Sequence, residues 1–269
     1  MTDTAFLNPG NIDFMMTQPR RSFSWIGFDS IDDCNLHCLY CHNPRTKKLT
    51  DADQFRKFLT EKVEQVRVFQ IGCAMEPSLD PRMVDFLEAI TDTPAHPIGQ
   101  FKVHTNGTLL NRHDPARMLA AGLTHLSVSI DTANEDTFAR LRGGAKLDRV
   151  FRNIKKFHRA CPDVTIQFIA TVNKANVDEM DLLIEKGIDV GASRFHFREM
   201  FHSPGGRVVD DQKVAELVLE PGVFERMQAR IEADYLGKVG LFFGSSGFLI
   251  TSSKNAKASS FPSLKPAPT

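Results

Sequence analysis

The chain has no excess charge of either sign, few cysteines and no long apolar run, and each shortage excludes something. Lysine plus arginine and aspartate plus glutamate number 33 each in 269 residues. The global balance therefore draws the molecule toward neither nucleic acid nor an anionic membrane. No continuous apolar stretch approaches the roughly 20 residues a helix needs to cross a bilayer, and residues 1–11 lack the basic and apolar regions of a signal peptide. A cytoplasmic location with no membrane partner is the expectation. No glycine-rich dinucleotide fingerprint occurs. Five cysteines, three of them clustered with Cys73 and Cys161 standing alone, do not make a disulfide framework and fit metal chemistry in a reducing compartment. What is present is ordinary: 42% hydrophobic and 25% charged residues, enough chain for one large α/β barrel domain.

The clustered cysteines are Cys34, Cys38 and Cys41, spaced C-x3-C-x2-C directly after the apolar run at 23–28. Three thiolates on one short loop suit three irons of a cubane 4Fe-4S cluster, because soft sulfur ligands favour such clusters. The fourth iron would have no protein ligand, and an open position is where substrate or cofactor chemistry occurs. Two other readings stay open from spacing alone. His37 or His42 could close a zinc tetrahedron, although zinc sites commonly come as two separated ligand pairs. Buried inert thiols are the other, against which stand the polar neighbours Asp32, Asp33, Asn35 and His37.

Along the chain, residues 1–21 carry Pro9, Gly10 and Pro19 with little periodicity and are expected to be an irregular lead-in. Strands are expected at 23–28, 67–72, 100–104, 126–131, 165–173 and 193–198. Between them Phe55, Phe58, Leu59, Val63 and Val66 recur at helical spacing, which predicts a helix over 51–66 capped by Thr50 with Asp53. Asp80-Pro81 and Thr132 with Glu135 are further helix starts. Six strand–helix alternations imply an α/β fold, a partial (β/α)6 TIM-like barrel on a parallel sheet, spanning 22–200. Ligands of such folds bind at the carboxyl ends of the strands. Residues 201–250 read as an extension with helix over 211–236, interrupted at Pro221-Gly222, and a strand near 239–243. Residues 251–269, rich in Ser, Lys, Ala and Pro, are expected to be a disordered tail.

Period-two alternation separates the strand face under the helices from the face looking inward. At 126–131 Leu126, Val128 and Ile130 oppose Ser127, Ser129 and Asp131; at 194–198 Phe195 and Phe197 oppose Arg194, His196 and Arg198; at 166–173 Gln167, Thr171 and Asn173 form the polar set. An interior lined with polar groups in place of the usual branched aliphatics suggests a binding cavity.

Taken with these strand ends, the cysteine spacing resembles the signature of the radical S-adenosylmethionine (radical SAM) superfamily, over approximately residues 23–200. The resemblance implies a 4Fe-4S cluster on Cys34, Cys38 and Cys41 and SAM chelated at the open iron. Reductive cleavage of SAM would then give a 5'-deoxyadenosyl radical that abstracts hydrogen from substrate. It implies SAM contacts from Tyr40, from Glu76 in Gly72-Cys73-Ala74-Met75-Glu76-Pro77, from Thr105 and Asn106 in Thr105-Asn106-Gly107, and from Ser129, Arg142 and Asn173. The Gly72–Pro77 segment departs from the family's Gly-Gly-Glu-Pro. Cys73, Asp131, His196 and Arg198 are left as catalytic or substrate candidates. An external flavodoxin- or ferredoxin-like donor must supply the electron.

The substrate is expected to be a small molecule or a peptide. No cysteine follows Cys161, so no auxiliary cysteine-ligated cluster can follow the barrel within this sequence. A transfer-RNA-modifying enzyme and a non-catalytic cluster- or zinc-binding barrel are the alternatives, with nucleic acid disfavoured by neutral charge. Six basic residues between Lys146 and Arg159 read as the solvated face of a helix whose other face carries Leu147, Phe151, Ile154 and Phe157.

Overall fold

Two hydrophobic periods alternate along this chain, and strand and helix alternate with them. The structure, a computed structural model, describes residues 3–201 and 211–244. The first elements are β1 (Thr4–Leu7), α1 (Ile12–Met16), β2 (Arg21–Phe28), α2 (Ala52–Glu61), β3 (Val63–Ile71) and α3 (Met83–Thr91). There follow β4 (Gln100–Thr105), α4 (Pro115–Ala120), β5 (His125–Ser129), α5 (Glu135–Leu141), α6 (Leu147–Ala160) and β6 (Thr165–Val172). The last are α7 (Met180–Asp189), β7 (Ala192–Glu199), α8 (Asp211–Leu217), α9 (Val223–Tyr235) and β8 (Gly240–Phe243). The expected loop at 202–206 and tail at 251–269 lie outside the described residues. No helix among the described residues is long and apolar enough to cross a membrane.

All strands are parallel and lie in sequence order, β1 to β8, in one unclosed sheet. The α/β partial barrel expected from the alternation is therefore present, with eight strands among the described residues and not six. One addition, β8, is the strand suspected near 239–243. The other, β1, falls in the stretch expected to be irregular, where Ala5 and Leu7 are buried against the core and Thr4–Leu7 pairs in register with Trp25–Phe28. A four-residue strand is too short to show a period against Pro9 and Gly10.

The helix expected over 51–66 ends at Glu61, and Val63 and Val66 belong to β3. Both valines continue the helical spacing of Phe55, Phe58 and Leu59 by coincidence, but β-branched side chains favour the pleated surface. Its cap is Asp51, whose carboxylate accepts from Gln54 N, while Thr50 instead donates to the Asp29 carbonyl. Phe28, Phe55 and Phe86 lock β2, α2 and α3 together, with ring centroids 4.1 Å apart for Phe28–Phe55 and 5.1 Å for Phe55–Phe86. Burial on the order of 2–3 kcal/mol per such ring fixes the carboxyl end of β2, from which the cysteine loop departs. The basic residues of α6 are exposed opposite buried Leu147, Val150, Ile154 and Phe157, a solvated face as expected.

Candidate active site

Loops leaving the carboxyl ends of β2, β3, β4 and β7 converge on one cavity of about 350 Å³. Cys34, Cys38 and Cys41, all half-buried and free, form part of its wall. The loop is tied down by groups outside it, some of them remote in sequence. Arg45 Nη1 donates to the Cys34 carbonyl at 2.7 Å, and its Nη2 donates to the Leu36 carbonyl. Asn35 donates to Thr108 Oγ1 at 2.8 Å and accepts from Asn106 Nδ2 at 2.9 Å. Leu39 N donates to the Leu141 carbonyl at 2.9 Å.

Behind Cys38 lies a buried ion pair. Arg142 donates through Nε and Nη2 to the two oxygens of Asp131 at 2.6 and 2.7 Å, while Tyr40 Oη and Thr171 N donate to the same carboxylate. Such a forked pair is strongly directional. Arg142 Nη1 remains free of Asp131 and stands 3.9 Å from Cys38 Sγ. Asn106 Nδ2 lies 3.9 Å from Cys34 Sγ.

Glu76 is buried at the end of β3. Its Oε1 accepts from Ser78 N, Ser78 Oγ and Thr105 Oγ1, and Oε2 accepts from Asn106 N at 2.6 Å. Burial pushes its carboxyl up and these donors pull it back. Acceptor capacity remains on Oε2 alone. The segment between β3 and Glu76 is held by Asp29, which accepts from Cys73 N at 2.7 Å and Ala74 N at 3.0 Å. Gly72 opens it at φ +81°, where a Cβ would stand 2.1 Å from the His104 carbonyl oxygen. Cys73 lines the cavity, its thiol pushed well up by burial and by Asp29.

Burial raises the Asp29 carboxyl to about 6 from 3.8. The folded value exceeds the unfolded one, so this group's stabilising contribution is complete below about pH 4 and is lost as pH rises through 6. Relative to an Asp29→Asn chain, the wild type should lose on the order of 3 kcal/mol between pH 4 and pH 7. Urea titrations at both pH values check this, and parallel profiles for the two chains would refute it.

His104 and Ser129 complete the inner wall. His104 Nε2 and Ser129 Oγ are 2.6 Å apart, and burial together with Arg198 and Arg142 lowers the imidazole to about 3. His104 is neutral at physiological pH.

Of the residues expected from sequence, Cys34, Cys38, Tyr40, Cys41, Cys73, Glu76, Thr105, Asn106, Ser129, Arg142 and Arg198 come together on the cavity wall. Asp131, Asn173 and His196 do not line it. Asp131 faces inward from the end of β5, as its alternation implied, but its oxygens are taken by Arg142, Tyr40 and Thr171. Asn173 closes the turn after β6, with its amide donating to the Thr171 carbonyl and its Oδ1 accepting from Ala175 N. His196 sits deeper in the sheet, edge-on to Phe242. Asp29, Arg45 and His104 were missed. The alternation of Phe101, Val103 and Thr105 against Lys102 and His104 could have found His104; nothing local marks Arg45, because its partners are carbonyls.

The thiols suit a cluster. They share one wall, and amide and guanidinium donors approach two of the sulfurs. Burial raises Cys34 to about 11 and also raises Cys38, so metal must displace their protons. Among the described residues no three His, Cys, Asp or Glu side chains are grouped as a single metal ion would need.

Residues 30–186 match the sequence model of the radical SAM superfamily. The chain is 29% identical over 218 residues to an AdoMet-dependent heme synthase of Methanosarcina barkeri, covering 79% of this chain and 58% of that protein. It is 25% identical over 215 residues to a PqqA peptide cyclase of Bradyrhizobium diazoefficiens, covering 76% and 55%. Streptococcus suis SuiB bound to S-adenosylmethionine superposes with a TM-score of 0.64 at 16% identity, over 83% of this chain and 50% of that one. The chain thus spans 50–58% of the length of these proteins.

Proposed function

The chain belongs to the radical SAM superfamily, whose members use a 4Fe-4S cluster and SAM, and from this we propose that it is an enzyme that cleaves SAM reductively to abstract hydrogen from a small-molecule or peptide substrate. One observation carries the reading: Cys34, Cys38 and Cys41 stand on the wall of a single cavity that also presents Glu76, Asn106, Ser129 and Arg142. When bound, the cluster supplies the electron that splits the sulfur–ribose bond of SAM, giving the 5'-deoxyadenosyl radical.

The protein's part is to hold and orient. Cys34, Cys38 and Cys41 ligate, with Asn106 and Arg142 donating toward two of the sulfurs. The free lone pair of Glu76 Oε2 receives the SAM ammonium, while its other bonds hold Thr105 and the Asn106 backbone in place. Arg142 offers the donors of Nη1 to the SAM carboxylate, its Nε and one N–H of Nη2 being held by Asp131, and Ser129 supports the same end of the ligand. Tyr40 offers its backbone to adenine, as the family resemblance implies, while its hydroxyl is bound to Asp131. Neutral His104 fixes Ser129. The electron comes from an external flavodoxin- or ferredoxin-like partner. Relatives named for a haem synthase and a peptide cyclase support the range of substrates.

Anaerobic reconstitution should give a brown protein with about four irons per chain, and dithionite with SAM should release 5'-deoxyadenosine. Cys38→Ala should lose both. A colourless protein that retains one zinc per chain would sink the enzyme reading.

A further inference from the structure

The outer face of α6 carries charge of nearly one sign. Arg149, Arg152, Lys155, Lys156 and Arg159 stand exposed on it against Asp148 alone, in a chain whose charges cancel overall. A helix face that is solvated for its own sake commonly alternates both signs. Here Arg152 pairs with the equally exposed Asp148 at 2.6 Å, and among the described residues no ion pair engages Lys155, Lys156 or Arg159. The same side chains border an open groove, lined by Arg152, Asn153, Lys155, Lys156 and Arg159 of α6 and by Asn111 of the turn Leu110–Arg112. Exposed Arg112 adds a further cation beside it. The groove shares no residue with the catalytic cavity.

From this groove a short route leads to the cysteine loop. Asn153, half-buried, donates through Nδ2 to the carbonyls of Gly107 at 2.9 Å and Thr108 at 3.1 Å. Thr108 Oγ1 donates to Asn106 Oδ1 at 2.6 Å and accepts from Asn35 Nδ2 at 2.8 Å. Asn106 Nδ2 in turn lies 3.9 Å from Cys34 Sγ. Followed through these contacts, the path from Asn153 to the Cys34 thiol is on the order of 15 Å. The chain entering α6 touches the loop as well, because Gly143 stands against the His37 backbone. The groove is therefore a basic surface on the outside of the barrel, separated from Cys34 by Thr108 and Asn106.

We propose that the α6 groove is the docking surface for the electron donor, an acidic one-electron carrier protein. Lys155, Lys156 and Arg159 supply the complementary charge that the neutral chain as a whole does not. The carrier's reduced cofactor gives up one electron and the cluster accepts it, so one is oxidised as the other is reduced. Docking on the outer face leaves the cavity free to hold SAM and substrate while the electron arrives. This rests on the cavity being the radical SAM centre, but the binding it requires can be measured without catalysis.

Anaerobic calorimetric titration of the cluster-loaded chain with an acidic flavodoxin and with an acidic plant-type ferredoxin tests it. At least one should bind, with an affinity that falls about tenfold or more in Lys155→Glu/Lys156→Glu and weakens with added salt. Lys57→Glu/Lys186→Glu makes the same change of charge at exposed positions of α2 and α7 and should bind as the wild type does. With the bound carrier as reductant, release of 5'-deoxyadenosine should slow about tenfold in the α6 variant, and with dithionite it should not change. Absence of binding by both carriers, or equal binding in the two double variants, overturns the inference. Equal slowing with dithionite also overturns it, because the variant would then act on the cluster site and not on docking. So does binding of transfer RNA that the α6 variant loses while carrier binding stays intact, which would make the groove a nucleic-acid surface. Carrier binding lost only in the α6 variant, in a chain that releases no 5'-deoxyadenosine with dithionite, would leave the docking surface standing and remove the catalytic reading.

Discussion

Gly143→Ala should empty the cluster site, and Gly144→Ala should not. Both glycines follow α5 in left-handed conformation, with φ of +64° and +80°. Either alanine therefore carries about 1–2 kcal/mol of backbone strain. They differ in what a side chain would meet. At Gly143 a Cβ would lie 2.5 Å from the carbonyl oxygen of His37 and 2.9 Å from its nitrogen, whereas at Gly144 nothing lies within 4 Å. The obstacle is the backbone of the cysteine loop at His37, the residue before Cys38, which a rotamer change cannot relieve. The loop must move, at an overpacking cost of about 1–3 kcal/mol beyond the strain. At about 1.4 kcal/mol per tenfold, the Gly143 variant should retain the cluster some ten- to hundredfold less well against a chelator, while Gly144→Ala behaves nearly as wild type. Iron and sulfide per chain after chelator challenge measure this. Equal retention in the two variants would show that the loop does not rest on α5.

The second large effect concerns Asp131. Its replacement by alanine leaves the Arg142 guanidinium buried and unpaired, which typically destabilises by about 3–5 kcal/mol. The Asp131→Ala/Arg142→Met double variant should lose well under the sum of the two single losses, with a coupling on the order of 1–3 kcal/mol. Tyr40→Phe removes one donor to the same carboxylate and should cost about 1–2 kcal/mol. Because Tyr40 lies between Cys38 and Cys41, and Arg142 Nη1 approaches Cys38 Sγ, all three variants should also lose cluster. Urea unfolding of the cluster-free protein separates the stability effect from the ligand effect. Strict additivity of the single variants would mean that Asp131 and Arg142 act independently, contrary to the geometry.

These two predictions show where sequence reading was strong and where it stopped. The cysteine spacing, the run of strands and helices and the turns at the strand ends are local, so Cys34, Cys38 and Cys41 could be set at the strand ends before any coordinates, and the family resemblance added Glu76, Thr105, Asn106 and Ser129 to the same place. Period-two alternation also found the inward set on β7. It failed for β1, which is too short to show a period, and for the helix assigned through Val66, where two periods overlap. It also failed to say what each inward group was bonded to. Asp131 was free for substrate as far as spacing could tell, and it is the partner of Arg142.

What the chain order carried was the choice of candidate thiols and the side of the sheet on which the inward groups lie, because thiol spacing and strand alternation are properties of neighbouring residues. What needed the folded molecule was the division of the polar groups into those already satisfied and those still free. Asp131 and most of Glu76 are engaged by donors as many as 91 residues away in the chain, and Asn173 by its own turn, whereas Arg198, Lys102 and Nη1 of Arg142 are not held by any acid among the described residues. Hydrogen-bond satisfaction depends on distances across the sheet, and a linear pattern does not contain them.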